Sequence, residues 1–273
     1  CGGIPGPATN VIIPAGTPNN PVISSAASSN NLQVATGATL TISNALLQVG
    51  GTIAAVNNMY ADNGTIELNG STQQIIPANV FHNNALGHLI INNSSEVQLN
   101  GVLDIYGSLT YGTNGTDFKT NNFLTLKSTL ANTAWIGNMT GKVIEGDVTV
   151  ERYIPNHSKA WQFLSVPVSG IQTINEAWQD SATFANQNRY PGYGTMLTSN
   201  LPGAIALGFD AYTAPGPSIK IYNSATGGYN GVASTKTTPI NNPRGYMVMV
   251  RGDRSVTAFN QPATATEIGR AHV

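Results

Sequence analysis

The chain has 273 residues, of which 41% are hydrophobic and only 9% charged, with a formal net charge of −1. That composition argues against disorder and supplies core for one large β domain or two ordinary ones, while solubility must rest on Asn, Thr, Ser and Gln rather than on charge. No Lys or Arg precedes Lys119, whereas Asp62, Glu67, Glu96, Asp104 and Asp117 do, so no nucleic acid partner and no anionic membrane partner is expected, because both require a cationic face.

Residues 1–31 read as a Pro-rich approach with short first strands such as 11–13, since Pro5, Pro7, Pro14, Pro18 and Pro21 interrupt any longer element. Cys1, the one cysteine, excludes an internal disulfide framework. It reads either as the lipidated first residue of a mature bacterial lipoprotein or as the start of a sequence cut in its middle. Residues 32–155 carry apolar pairs at i, i+2, among them Leu40/Ile42, Leu47/Val49, Ile66/Leu68, Leu89/Ile91, Val97/Leu99, Leu103/Ile105 and Leu109/Tyr111. Alternation of period two puts each pair on one face of a short strand, and the Asn-Gly, Gly-Gly and Asn-Asn steps between them bend the chain. The run E-V-Q-L-N-G, V-L-D-I-Y-G, S-L-T-Y-G over 96–112 shows the unit best. Units this short cannot bury their own apolar face and must stack, which predicts a parallel β-solenoid, β-helix-like, with less regular coils at 59–61 and 74–86.

Pro155 ends this pattern. Residues 156–266 differ in kind: strands are predicted at 161–166, 219–222 and 246–250, and a short Thr-capped helix at 173–179. The aromatics concentrated there point to a β-sandwich or jelly-roll-like module, so the whole chain is expected to be all-β. Residues 267–273 are set apart as a tail, because 268–273 is the hexapeptide that a common sequencing-adapter string encodes in frame. No apolar run reaches transmembrane length, so no transmembrane segment is expected.

The motifs L-T-L-K-S-T, A-W-I-G-N-M-T-G-K-V-I-E-G-D-V-T-V-E-R-Y-I-P, A-W-Q-F-L-S-V-P-V-S-G, T-I-N-E-A-W-Q, P-G-Y-G-T and G-Y-M-V-M-V-R-G-D-R-S, spread over 124–255, resemble a block found in large secreted surface proteins of the Bacteroidota. The resemblance implies an adhesin-like protein exported by the type IX secretion system, located outside the cell or on the outer-membrane surface. Such proteins end in a C-terminal sorting domain, which these 273 residues do not include.

Reactive motifs are scarce. There is no H-E-x-x-H, C-x-x-C, G-x-S-x-G or Walker loop, and His82, His88 and His157 are not spaced as ligands on one helix. A uronate lyase would need a cation that residues 1–118 lack, and a glycosidase would need two converging carboxyls, for which Asp104 and Asp117 are the candidates. Turns at Asp62-Asn63-Gly64 and 114–117 are oxygen-rich but short of a Ca²⁺ ligand set, so no cofactor is expected. Three surface features remain: Arg251-Gly252-Asp253 as a receptor-type tripeptide or a hairpin turn, Ser181 in Asp180-Ser181-Ala182 as an O-glycosylation site, and Tyr190, Tyr193 and Tyr229, flanked by Gly and Pro, as a glycan-stacking set. Trp161 and Phe163 are assigned inward, to the core. The reading is a non-enzymatic structural or adhesive segment with glycans or other surface proteins as partners; the alternative is a carbohydrate-binding or carbohydrate-active segment of a larger enzyme.

Overall fold

The computed structural model describes residues 4–154, 160–165, 172–179, 195–210, 216–240, 245–250 and 266–267, and the chain forms two compact units. The first, 1–127 with 131–149, is a parallel β-solenoid of about seven turns. Each turn brings three short strands past the same points. Val11 pairs in parallel with Leu32 and Leu32 with Ile53, 21 residues further on each time.

Two expectations change. The solenoid opens at Val11, not at residue 32: Val11–Ile13, Val22–Ile23 and Ala27–Ser29 already form parallel ladders with Leu32–Val34, Leu40–Ile42 and Leu46–Val49. The prolines do not loosen this first coil because Pro14, Pro18 and Pro21 all fall between strands, where no ladder hydrogen bond is required. The irregularity expected at 74–86 is narrowed to 81–86, where Phe81 faces Met59 but Leu86 already faces Ala61, so the register shifts within the strand and Asn83 and Asn84 take positive φ. Gln74–Pro77 pairs in register with Glu96–Asn100, and Phe81–Ile91 is one long strand lying between Met59–Leu68 and Leu103–Tyr111.

These three long strands each turn a corner without leaving the ladder. The register shifts after Leu86 on both sides, where Ala61 and Ile105 are its partners, and resumes at His88 opposite Thr65 and Ser108. Gly64, Gly87 and Gly107 occupy these bulges. A Cβ on Gly64 would lie 2.7 Å from the Ile42 carbonyl oxygen, one on Gly87 2.7 Å from the Gly64 carbonyl oxygen, and one on Gly107 2.7 Å from the Gly87 carbonyl oxygen. Successive coils can approach this closely only because no side chain stands between them.

Inside, like stacks on like. Ala61, Leu86, Ile105 and Leu126 form one column through adjacent rungs, and Leu47, Ile66, Leu89, Leu109 and Ile136 another. Phe118, Val97, Leu99 and Ile105 are fully buried, while Gln98 and Asp104 alternate with them on the outside. Where the chain turns corners, inner backbone groups lose ladder partners, and buried amides replace them. Asn58 Nδ2 donates to the carbonyls of Val34, Ala35 and Ala38 at 3.3, 3.0 and 3.0 Å. Gln74 Nε2 donates to Val49 and Gly51 at 2.9 and 2.7 Å, and its Oε1 accepts from Gly70 N–H at 2.8 Å.

The second unit, 128–130 with 150–273, holds a four-stranded antiparallel sheet in the order Ala160–Ser165, Gly245–Val250, Ile219–Asn223, Gly228–Gly231. Its buried face, with Ile219, Tyr246, Val248 and Val250, packs on Trp178, Leu197 and Phe209. The predicted helix is present at Ile174–Trp178 with Thr173 as N-cap and a reciprocal capping box to Glu176. Thr173 N–H donates to the Glu176 carboxylate at 2.8 Å, and this bond, with that of the Thr173 hydroxyl, holds the carboxyl below its ordinary pKa. A two-residue antiparallel pair joins Tyr153–Ile154 to Thr266–Glu267, so Glu267 takes part in strand pairing although the sequence reading set it in the tail.

Candidate ligand-contact face

Antiparallel register decides which side of the C-terminal sheet meets water. Gln162 pairs with Val248 and Leu164 with Tyr246, and since Val248 and Tyr246 are buried, the alternate residues Trp161 and Phe163 share the other face with Met249 and Met247. The assignment of Trp161 and Phe163 to the core is therefore corrected. Phe163 is 70% exposed and Trp161 half-buried, with the Lys220 ammonium 4.9 Å from its ring centre. Alternation yields two faces without saying which is the core; the strand opposite supplies the answer.

Lys220 pairs with Met247, and Tyr222 with Tyr229, which extends this outer face across all four strands. Tyr222 and Tyr229 are 51% and 43% exposed, and their ring centres lie 5.3 Å apart at 60°. Phe163 stands 6.0 Å from Tyr229 at 52°. Between these rings lies a trough of about 290 Å³ whose walls include Phe163, Ser165, Tyr222, Tyr229, Gly245 and Tyr246. Large exposed aromatics grouped in this way mark contact surfaces far more often than isolated ones do.

Of the three tyrosines expected on the surface, Tyr229 is exposed on this face; Tyr190 and Tyr193 lie outside the described residues, as do Ser181 and the tripeptide Arg251-Gly252-Asp253. Phe163 and Tyr222 are the members that sequence reasoning missed. Nothing in the local sequence singles them out, because both alternate sets of G-Y-M-V-M-V are apolar and only the pairing shows which one faces the core.

The solenoid's titratable groups are distributed differently. Asp104 lies on the strand Leu103–Tyr111 and Asp117 on Asp117–Lys119, so the two candidate carboxyls belong to different sheets and are not register partners. Asp117 instead pairs with Glu96 one rung away. Glu96 accepts an ion pair from Lys119 at 2.7 Å, and this contact, with help from Gln73, holds its carboxyl below the ordinary glutamate pKa and the Lys119 ammonium above its own. Glu67, nearly buried, accepts from Gln48 Nε2 at 2.8 Å and from Asn92 Nδ2 at 2.5 Å. His88 Nδ1 is 2.9 Å from Ser108 Oγ, and His82 stacks on Tyr60 with ring centres 4.3 Å apart. The Asp62-Asn63-Gly64 segment, read as a turn, is inside the strand Met59–Leu68 at its bulge.

Among the described residues there is no group of three or more His, Cys, Asp or Glu side chains that could hold a metal ion, and no helix long and apolar enough to cross a membrane. Compared with family profiles, with curated proteins and with solved structures, the chain matches none.

Proposed function

We propose that this chain is a non-enzymatic structural and adhesive segment of a secreted or cell-surface protein, in which the solenoid is the scaffold and the C-terminal sheet carries the contact face. The observation that carries this reading is the exposed aromatic group Phe163, Tyr222 and Tyr229 on a sheet whose other face is fully committed to a core. The use of acids and bases along the solenoid supports it. Glu67, Glu96 and His88 each bond to a side chain on a neighbouring rung, so groups capable of proton transfer serve to tie coil to coil. A chain rich in polar residues yet only 9% charged suits a protein working outside the cell, as do the motifs that resemble those of Bacteroidota surface proteins.

One observation favours a second reading, a carbohydrate-active segment. Glu96 and Asp117 are register partners on adjacent strands, whose backbones run about 4.8 Å apart, so two carboxyl side chains leave the same face of neighbouring rungs, the kind of pair a glycosidase uses. Against it, a general acid needs its pKa raised, and Lys119 pushes that of Glu96 down. The test is to coat beads with the whole chain and measure their retention on glycan-bearing surfaces while following reducing-sugar release from a polysaccharide panel. Retention without release is expected. Sugar release that disappears in Glu96→Gln would overturn the non-enzymatic reading, and beads that bind no surface would overturn the adhesive one.

A further inference from the structure

We infer that the trough on the outer face of the C-terminal sheet binds one neutral pyranose ring of a glycan. This rests on the adhesive reading and names what the contact face grips.

The trough exists because of Gly245. It pairs with Ser165 on the edge strand, and a Cβ built on it would meet no atom of the described residues within 4 Å, so among them the space over this backbone is open. Phe163, Tyr222 and Tyr229 stand around it with their rings inclined at 52° and 60° rather than closed into a parallel stack. Inclined rings keep part of each face free, and the C–H faces of a pyranose present the weakly positive edge that an aromatic face attracts. A volume of about 290 Å³ lies at the foot of the size range of small-molecule sites, roughly 300–1,000 Å³, which suits one ring rather than a chain of them.

Charge and polarity narrow the class. Among the described residues the walls hold no carboxylate, ammonium or guanidinium, and Lys220, the cation that register places on this face, sits over the Trp161 ring. A uronate or sialate would leave its carboxylate without a partner there, whereas a neutral hexose would not. The hydroxyls of Ser165, Tyr222 and Tyr229 distinguish a sugar from an apolar side chain, because a hydrocarbon occupant would take water from these groups and return no hydrogen bond.

The test titrates the full chain with the methyl glycosides of glucose, galactose and mannose and with N-acetylglucosamine, following protein NMR shifts; glucuronate and a Leu-rich peptide serve as comparators. Saturable binding of at least one neutral glycoside is expected. Tyr229→Ala should weaken it about tenfold, since one lost stacking partner is worth about that factor. Gly245→Leu should abolish it, because the new side chain occupies the trough while touching nothing at its base. Coincident melting curves for wild type and both variants show that the fold is intact, and Tyr229→Ala, an exposed position, keeps the test valid should Gly245→Leu fail to fold. Absence of binding by every neutral glycoside, binding that survives Gly245→Leu, or preference for glucuronate or the peptide would overturn the inference. Bead adhesion that persists in Gly245→Leu would overturn the trough alone, whereas wild-type beads that fail to adhere would overturn the adhesive reading.

Discussion

Replacing Gln74 by Leu should be among the most damaging single changes in the solenoid, although Gln looks like a surface residue. The side chain is 4% exposed and makes four hydrogen bonds: to the carbonyls of Val49 and Gly51, from Gly70 N–H, and from Asn93 Nδ2. In Gln74→Leu the Val49 carbonyl keeps Asn69 N–H at 3.1 Å and Asn93 keeps the Thr72 carbonyl at 2.7 Å. Gly70 N–H is left buried without an acceptor and the Gly51 carbonyl loses its amide donor. An orphaned buried donor costs about 1–3 kcal/mol and each remaining lost bond about 1 kcal/mol, giving about 3–5 kcal/mol after allowance for the buried Leu. At about 2–4 °C per kcal/mol for a unit of this size, Tm should fall by about 6–20 °C. Thermal and urea unfolding of the full chain followed by far-UV circular dichroism measures this, with Gln33→Leu, at an exposed strand position, as the comparison expected within about 0.5 kcal/mol of wild type. A loss for Gln74→Leu of under about 1 kcal/mol, or one equal to that of Gln33→Leu, would refute the argument that buried amides complete the corner backbone.

Gly87→Val should disrupt the central coils, because its Cβ would meet the carbonyl oxygens of Gly64 and Asp62 at 2.7 and 2.9 Å and neither is free to move; soluble expression with a wild-type melting curve would contradict this. Leu99→Asp or Ile105→Asp buries an unpaired carboxylate at a fully buried site and should cost at least about 3 kcal/mol, whereas Gln98→Asp should stay within about 1 kcal/mol; urea midpoints compare the three. Acid should destabilise both units. The folded pKa values of Glu96 and Glu176 lie below those of the unfolded chain, so the unfolded state takes up protons first and stability present at neutral pH is lost as pH falls through about 4 and below. Glu176→Gln should flatten that fall in the C-terminal unit, and melting curves between pH 3 and 7 check the sign (the range being about that over which Glu titrates).

Much of the solenoid was legible in its alternation. The pairs at Leu99, Ile105 and Leu109 sit in the stacked interior because period two leaves a strand only two faces and a repeating coil has one inside. The 21-residue period was harder to see, since three short strands share each turn and the spacing widens where Phe118 meets Ile144. Gln74, Asn58 and Asn93 read as surface residues because polarity says nothing about whether a side chain serves water or a stranded carbonyl. Gly64 read as part of a turn, whereas it and Gly87 each lie within a long strand where a neighbouring coil passes too close for a Cβ. In the candidate site, Tyr229 was visible through its Gly and Asn neighbours, but the exposure of Phe163 and Tyr222 depended on pairing with strands distant in sequence.

The short spacing of the solenoid's pairings bears on how the chain emerges from a ribosome. Leu32 needs only Val11, already outside, and Ile53 needs only Leu32, so the ladder can zip up one rung behind the exit while the rest is still threaded. The C-terminal sheet has no such freedom: Ala160 must wait for Val250 before its edge is paired, so the portion carrying the aromatic face matures last.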